Sequence, residues 1–286
     1  MKKKLALLGI LGATARPCWA EDMSITEITY YSGAIAQNQI AMILENNNGE
    51  VHGKYIRENE GPAVAVTGAY NGNILELIEK RDSTGIARIN AQRKGSGKIE
   101  GTLKDEKRYK FHATPSSKSY KETIGKIASN EKSLIISLIK GTDQIIPIDT
   151  LTDSLSITFE DFTFDGYADM RILDLEAGGN SSYIYFEYIP ATQKFIKAKP
   201  EIYNLINPMI IHGKKLITGF NKDGCCHYSV TIIDDSNIYT ADYDYISEKG
   251  TETVSNRASE ALTTTSINKE VFEEKYLAII QKGNLQ

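Results

Sequence analysis

The sequence predicts a mainly β protein with two consecutive β domains. Short apolar stretches recur along the chain, turn sequences rich in Asn and Gly separate them, and only one stretch near the C-terminus has a helical pattern. We expect an antiparallel β-meander, closed into a barrel or a small sandwich, over residues 21–114. After a linker at 115–133, we expect a distorted β-propeller-like domain with a C-terminal helix over residues 134–286.

The first domain is predicted from a series of hairpins. Asn71-Gly72 joins two apolar stretches and is the strongest hairpin signal, because both residues tolerate a positive φ. Tyr109 and Phe111 alternate with polar residues, which is typical of a strand with one buried face. The other expected strands are Ile40–Leu44, Val51–Ile56, Val64–Tyr70, Ile74–Lys80, Ile86–Gln92 and Lys98–Leu103.

The polar stretch 115–133 shows little periodicity, so we place the linker there. Strands are expected to resume from Leu134 and to continue to Ile246, with tyrosines on alternate positions near Tyr183 and Tyr243. Hairpins of similar length in this region favour propeller-like blades. Ile267–Gln281 has an imperfect apolar stripe typical of a helix, and Ser266 is the expected N-cap.

The first twenty residues are predicted to be a signal peptide. Lys2, Lys3 and Lys4 precede the short apolar run Leu5–Ala13, and small residues at positions 18 and 20 mark a cleavage site before Glu21. This apolar run is too short to span a bilayer. An uncleaved anchor and a lipidated Cys18 are the alternatives. We therefore expect export to the periplasm.

The predicted mature chain is acidic in its second half. Removing residues 1–20 takes away four basic side chains and no acidic one, so the net charge changes from −4 to −8. Residues 21–149 contain 17 basic and 17 acidic side chains, whereas residues 150–286 contain 12 basic and 20 acidic ones. This distribution disfavours nucleic-acid binding and favours cations or basic proteins as partners.

The segment Asp161–Asp169, with the sequence DFTFDGYAD, predicts a calcium-binding loop. Oxygen-bearing side chains occupy its positions one, three, five and nine, and Gly166 at position six permits a sharp turn. Calcium prefers such an all-oxygen shell. The expected ligands are Asp161, Thr163, Asp165, the backbone carbonyl of Tyr167, and Asp169. An aspartate- and glycine-rich β-turn without metal is the alternative.

This loop differs from an EF-hand. Position twelve is Ile172 instead of a bidentate Glu, and strands rather than helices are expected on both sides. Thr163 is a neutral ligand where Asp or Asn would bind more tightly. We therefore expect a structural ion of modest affinity, with a Kd on the order of 10⁻⁴ M, as in extracellular modules.

Catalytic motifs are lacking, and we expect no enzymatic activity. The four histidines, His52, His112, His212 and His227, are scattered without metal-ligand spacing, and no G-x-S-x-G motif occurs. Cys225 and Cys226 are adjacent, without C-x-x-C spacing. They are expected to form a strained ring, to stay reduced, or to pair with another molecule.

The segment DFTFDGYAD, Pro190–Phe195 with the pattern P-x-T-x-x-F, and Asn207-Pro208 together resemble the periplasmic immunity-type lysozyme inhibitors. The resemblance covers roughly residues 130–250. It implies a propeller-like fold, bound calcium, and a loop tyrosine that enters the cleft of a lysozyme-like peptidoglycan hydrolase. Gly178–Tyr183 is similar to the inhibitory loops of that family, so Asn180, Ser181, Ser182 and Tyr183 are the partner-binding candidates. A packed strand tyrosine is the alternative for Tyr183. For the protein, the alternative is a calcium-stabilised structural or glycan-binding envelope module without inhibitory activity.

Overall fold

The computed structural model describes residues 23–57, 60–81, 85–130, 132–259 and 261–283. The predicted signal peptide at 1–20 lies outside these ranges. The N-terminal part is the predicted antiparallel meander, and it has eight strands because it includes a first strand, β1, that the expected strands lacked. Its strands are β1 Met23–Ile35, β2 Asn38–Asn47, β3 Glu50–Arg57, β4 Glu60–Asn71, β5 Ile74–Arg81, β6 Gly85–Arg93, β7 Ile99–Lys104 and β8 Arg108–Pro115.

The meander closes into a barrel because the last strand pairs with the first. The register between β1 and β8 runs from Tyr31 opposite Pro115 to Ile35 opposite Phe111. The strands approach closely at Gly33, where a Cβ atom would lie 2.0 Å from the carbonyl oxygen of His112. Glycine at such positions lets strands bend sharply enough to close a small barrel.

Buried side chains from all eight strands fill the barrel interior, among them Tyr55, Leu75, Ile89 and Phe111. The predicted hairpin is confirmed, with its turn one residue later than expected: Asn71 pairs with Ile74, and the turn is Gly72-Asn73, with Gly72 at φ 62°. A packed interior of this kind is expected for an eight-stranded barrel, which is just wide enough for side chains to fill.

Strand β1 also belongs to a second group of strands. Its first residues, Met23–Glu27, pair in parallel with Leu155–Phe159 of β12, before the strand enters the barrel. Antiparallel pairing then continues outward from β12. The barrel and this extension are therefore one continuous hydrogen-bonded sheet. The added strands are β12 Leu155–Glu160, β13 Asp169–Ala177, β14 Asn180–Ile189 and β15 Lys194–Lys197.

The stretch 115–133, where the linker was expected, contains regular structure. It forms a 3₁₀ turn, Tyr120–Glu122, and β9 Ile124–Asn130, which pairs with β10 Ser133–Leu138 in a three-stranded sheet completed by β11 Gln144–Pro147. The Tyr120 ring stacks on Phe159 with 4.3 Å between centroids. Tertiary packing thus orders a segment whose own apolar pattern is weak.

The C-terminal part is a six-stranded antiparallel meander covered by a helix. Its strands are β16 Met209–Ile211, β17 Leu216–Asp223, β18 His227–Ile233, β19 Asn237–Asp244, β20 Lys249–Asn256 and β21 Leu262–Ile267. A short helix, Pro200–Tyr203, and a 3₁₀ turn, His212–Lys214, flank β16. Beyond the barrel, the strands form the four-stranded extension, a three-stranded sheet and this six-stranded sheet. The propeller-like prediction expected blades built from hairpins of similar length, whereas these three groups differ in their number of strands.

The predicted C-terminal helix is present over residues 269–282. It consists of an α-helical turn Lys269–Val271, a π-helical stretch Phe272–Leu277 and an α-helix Ala278–Lys282. Its N-cap is Asn268, which accepts a hydrogen bond from the Val271 amide, and not Ser266, which pairs with Thr251 in the sheet. Phe272 and Tyr276 are buried against the meander. None of the helices within the described ranges has the length and apolarity needed to cross a membrane.

Candidate functional site

The loop Asp161–Asp169 connects β12 to β13, at the point where the barrel, the extension and the C-terminal meander meet. Phe162 and Ala168 are buried and anchor the loop to the interior. Phe164 has φ 60° and Gly166 has φ 86°, so the backbone turns twice through the left-handed region. As predicted, strands flank the loop on both sides.

The Asp169 carboxylate organises the first half of the loop. Its Oδ2 accepts hydrogen bonds from the Phe162 amide at 3.1 Å, the Thr163 amide at 3.0 Å and the Thr163 hydroxyl at 2.9 Å. Its Oδ1 accepts one from the Tyr188 amide at 2.9 Å, which ties the loop to β14. Asp169 is fully buried. These donors compensate part of the cost of burying the carboxylate.

Asp161 organises the second half in the same way. Its two oxygens accept hydrogen bonds from the amides of Asp165 and Gly166, each at 3.1 Å. Asp165 is exposed, and its Oδ1 accepts a hydrogen bond from the Tyr167 amide at 2.9 Å. The predicted ligand residues therefore share one hydrogen-bonded loop.

Burial raises the pKa of Asp169 well above its usual range, and the neighbouring charge of Asp161 adds to this rise. Burial also raises the pKa of Asp165, again with a contribution from Asp161. In the part of the chain that the structure describes, no Lys or Arg forms an ion pair with Asp161, Asp165 or Asp169. The basic group beside them is His212, whose Nε2 lies 3.8 Å from Asp161 Oδ2. Carboxylates that repel one another in a low-dielectric loop favour a bound cation.

The donor types in this loop, carboxylate, hydroxyl and carbonyl oxygens, are those that calcium prefers. Within the described ranges, no three His, Cys, Asp or Glu side chains converge as a preformed metal cage. Calcium accepts six to eight oxygen ligands, including hydroxyl and carbonyl groups and water. Asp161, Asp165, Asp169, Thr163 and the Tyr167 carbonyl are the residues that would hold the ion.

A buried polar cluster next to the loop was not predicted from the sequence. Glu160 Oε2 lies 3.2 Å from Arg171 Nη2, and its Oε1 accepts a hydrogen bond from the Tyr30 hydroxyl at 2.9 Å. The Tyr30 hydroxyl is also 2.8 Å from the carbonyl oxygen of Ile210. The His212 ring stacks on Tyr30 with 4.8 Å between centroids. His212, which the sequence placed among scattered histidines, thus joins the barrel, the loop and the meander. The sequence separations are too large for any local pattern to show this cluster.

The predicted partner-binding segment begins at the tip of the β13–β14 hairpin. Gly178 and Gly179 form the exposed turn, with φ of 61° and 81°. Asn207, which lies two residues before β16, holds this tip: its Oδ1 accepts a hydrogen bond from the Ser181 amide at 2.8 Å, and its Nδ2 lies 3.0 Å from Asn180 Oδ1 and 3.2 Å from the Gly179 carbonyl oxygen. The Asn207 of the Asn-Pro motif and the Gly178–Tyr183 segment are therefore in direct contact.

A second hairpin tip lies beside the first. The Asn180 side chain donates a hydrogen bond to the Lys222 carbonyl at 3.1 Å, where β17 approaches its turn. A disulfide joins Cys225 and Cys226 in that turn, so the ring closure is the alternative that this structure adopts. We call the two exposed tips, residues 177–180 and 223–226, the paired-hairpin ridge.

Tyr183 does not lie on the ridge. It is inside β14, opposite Leu173, and is half-buried. The Arg171 guanidinium lies 4.8 Å from its ring centroid, and the Tyr185 ring is 6.1 Å away. Ser182 pairs with Leu175 and forms an isolated bridge with Ile206. Of the predicted partner-binding residues, the hairpin therefore brings Asn180 closest to the exposed turn.

The sequence matches no protein-family model and no curated protein. The resemblance to lysozyme inhibitors consequently rests on the segments Asp161–Asp169, Pro190–Phe195 and Asn207-Pro208.

Proposed function

We propose that the protein is an exported periplasmic binding protein that inhibits, or gives immunity against, a lysozyme-like peptidoglycan hydrolase. The observation that carries this proposal is the contact of Asn207 with the Gly178–Tyr183 segment, because two separate motifs of the resemblance meet at one exposed surface. A loop already fixed in its binding conformation loses little entropy when it binds.

The charge of the chain supports the same kind of partner. The excess of acidic over basic side chains lies in residues 150–286, which include both tips of the ridge. Within the ridge itself, Asp223 is the one charged side chain. A net acidic charge of the whole half would accelerate encounter with a basic protein, and lysozymes are generally basic. We therefore propose binding, and not catalysis, as the activity of this region.

The partner contact is proposed at the ridge and along β14, with Asn180, Ser181, Ser182 and Tyr183 as its residues. Because Tyr183 is half-buried inside β14, a partner can contact only the exposed part of its ring. Its packing against Arg171 favours a supporting role over that of a free plug.

We also propose that one Ca²⁺ stabilises the loop Asp161–Asp169. When bound, the ion would supply positive charge to the buried carboxylates of Asp161 and Asp169, whose partners are otherwise backbone amides, the Thr163 hydroxyl and the His212 ring. Asp169 of the loop accepts a hydrogen bond from the Tyr188 amide. Asp161 lies beside His212, whose ring stacks on Tyr30 of the buried cluster. Stabilisation of the loop would thus maintain the junction between barrel and meander.

Inhibition of cell-wall lysis by a panel of purified lysozymes and peptidoglycan hydrolases tests the proposed function. Asn207→Gly removes the amide contacts while tolerating the φ of 45° at this position. We expect it to weaken inhibition about tenfold, which corresponds to about 1.4 kcal/mol. Asn90→Ala, at an exposed position of the barrel, is the matched control and is expected to retain full inhibition.

Tyr183→Ala distinguishes a main anchor of the interface from a residue that only supports it by packing against Arg171. A decrease in inhibition much larger than that of Asn207→Gly, with unchanged stability, would identify Tyr183 as the main anchor. If no hydrolase in the panel is bound or inhibited, the inhibitor proposal is wrong and the envelope-module alternative is favoured.

The glycan-binding alternative has one specific observation in its favour. Two tyrosine rings, Tyr167 and Tyr188, lie 5.6 Å apart at a cleft beside the calcium-loop segment. Aromatic rings with polar tips are suited to contact sugars.

A further inference from the structure

We infer that this cleft binds a saccharide carrying a carboxylate group, at a site separate from the paired-hairpin ridge. The cleft, which we call the loop-side cleft, has a volume of about 240 Å³ and is lined by Lys118, Glu122, Lys140, Tyr167, Tyr188 and Gln193, among others. Drug-sized ligands occupy pockets of roughly 300–1,000 Å³, so this cleft suits a single ring unit.

The two tyrosines are held in place by the backbone. Lys118 forms a parallel bridge with Tyr167, and the Lys118 amide donates to the Gly166 carbonyl at 2.9 Å. The Tyr188 amide donates to Asp169 Oδ1. These contacts fix the backbone of both residues, while the Lys118 ammonium holds the Tyr167 hydroxyl and the largely buried Tyr188 ring packs on Phe195. The aromatic wall therefore exists before a ligand binds, which lowers the entropic cost of binding.

The opposite wall is held by the three-stranded sheet. The Gln144 side chain makes two hydrogen bonds to the backbone of Phe195, at 2.6 Å to its carbonyl and 2.9 Å from its amide. The Gln193 side chain lies close against Gly141, where a Cβ atom would be 3.2 Å from its Oε1. These contacts fix the turn that places Lys140 and Gln193 at the rim.

The charge of the cleft determines which saccharides fit. Lys118 and Lys140 face one acidic side chain, Glu122, so the side chains that line the cleft have a net positive charge. The Lys118 ammonium donates to the Tyr167 hydroxyl at 3.1 Å and lies 4.4 Å from the ring centroid. A point charge next to an aromatic face matches a ligand with an anionic group attached to a ring.

Neutral or purely anionic ligands match the cleft less well. A neutral sugar would leave both lysines without an anionic partner, and a free phosphate would not use the aromatic rings. A carboxylate-bearing sugar satisfies both features, since its ring can contact Tyr167 and the small exposed part of Tyr188 while its carboxylate accepts charge-assisted hydrogen bonds.

Titration of the mature protein with N-acetylmuramic acid and glucuronic acid tests this inference, with binding followed by NMR chemical shifts. N-acetylglucosamine is the neutral control and inorganic phosphate is the anion without a ring. We expect both acidic sugars to bind, with shifts localised at Tyr167 and Tyr188, and at least fivefold tighter than either control. Equal affinity for N-acetylglucosamine or phosphate, or no binding of the acidic sugars, would overturn the inference.

Charge-removing variants locate the site. Lys118→Gln and Lys140→Gln are each expected to weaken binding of the acidic sugars at least threefold. Lys126→Gln, on an exposed position of β9 outside the cleft lining, is the matched control and should bind as the unmodified protein does. If both cleft variants bind normally, the site lies elsewhere and the inference is wrong. The proposed hydrolase contact is at the ridge, and the cleft lining includes no ridge residue. Failure of the sugar titration therefore leaves the inhibitor proposal intact, and failure of the inhibition assay leaves the saccharide site intact.

Discussion

Arg171 Nη2 lies 3.2 Å from Glu160 Oε2, and both side chains are buried where the barrel meets the extension. A buried ion pair is compensated only while both partners are present. Arg171→Met should therefore leave a charged Glu160 in the interior and lower the free energy of unfolding by roughly 3–5 kcal/mol. Urea denaturation measures this change.

The matched control for that prediction is an exposed pair on the barrel, Lys98 and Glu100, whose charged atoms lie 2.7 Å apart. Solvent screens this pair, so Glu100→Gln should leave the urea midpoint almost unchanged. If Arg171→Met is as mild as this control, the buried pair contributes little to stability.

Calcium should raise the melting temperature of the protein. For a Kd on the order of 10⁻⁴ M, about 10 mM Ca²⁺ is about a hundred times Kd and stabilises the folded state by about 2.7 kcal/mol. This corresponds to a shift on the order of 5–10 °C relative to EDTA, measured by differential scanning calorimetry.

Two further measurements accompany the calcium titration. Asp165→Asn removes a proposed ligand charge at an exposed position and should reduce the shift, whereas Asp105→Asn on the barrel should not. Identical melting curves in EDTA and in calcium would show that the loop is an aspartate-rich turn stabilised by its own amides.

Reduction of the Cys225–Cys226 disulfide should hardly change the melting temperature. A cross-link stabilises a protein mainly by restricting the unfolded chain, and its effect grows with the length of the loop that it closes. Adjacent cysteines close no chain loop of that kind. Thermal unfolding with and without a phosphine reductant checks this, and a large decrease would mean that the ring supports the meander itself.

The Tyr245 hydroxyl donates to Glu273 Oε1 at 3.0 Å, which links the meander to the C-terminal helix. Burial and the Glu273 carboxylate raise the pKa of Tyr245 to about 12. Because this pKa is raised in the folded state, the associated stability is fully present below pH 10 and is lost as the pH rises towards 12.

The Cζ chemical shift of Tyr245, followed by NMR during an alkaline titration, measures this pKa. Glu273→Gln removes the negative charge and should move the midpoint down towards 10. An unchanged midpoint in the variant would assign the whole rise to burial.

Local patterns were sufficient to predict much of the fold. The Asn71-Gly72 signal and the alternation around Phe111 predicted barrel hairpins because each depends on a few neighbouring residues. The β9 strand was missed since its order depends on contacts such as Tyr120 with Phe159, which are distant in sequence. The helix start was misplaced by two residues because Asn268, and not Ser266, caps it.

The candidate site was predicted in part. The spacing within Asp161–Asp169 is local, so the sequence identified these residues as one loop, and the structure brings them into one hydrogen-bonded turn. Tyr183 was a candidate for the inhibitory loop, with a packed strand tyrosine as the alternative, and it lies inside β14 opposite Leu173. The Tyr30–Glu160 contact spans 130 residues and has no signature in the sequence.

The parallel pairing of β1 with β12 has a consequence for synthesis of the chain. Met23–Ile25 have their partners only at Leu155–Ile157, and pairing with β2 begins at Thr26. Until residues 155–157 have emerged, from the ribosome or, in an exported chain, from the translocation channel, the start of β1 remains an open edge that is available to other extended chains. The nascent barrel is therefore expected to depend on protection from aggregation until more than half of the polypeptide has emerged.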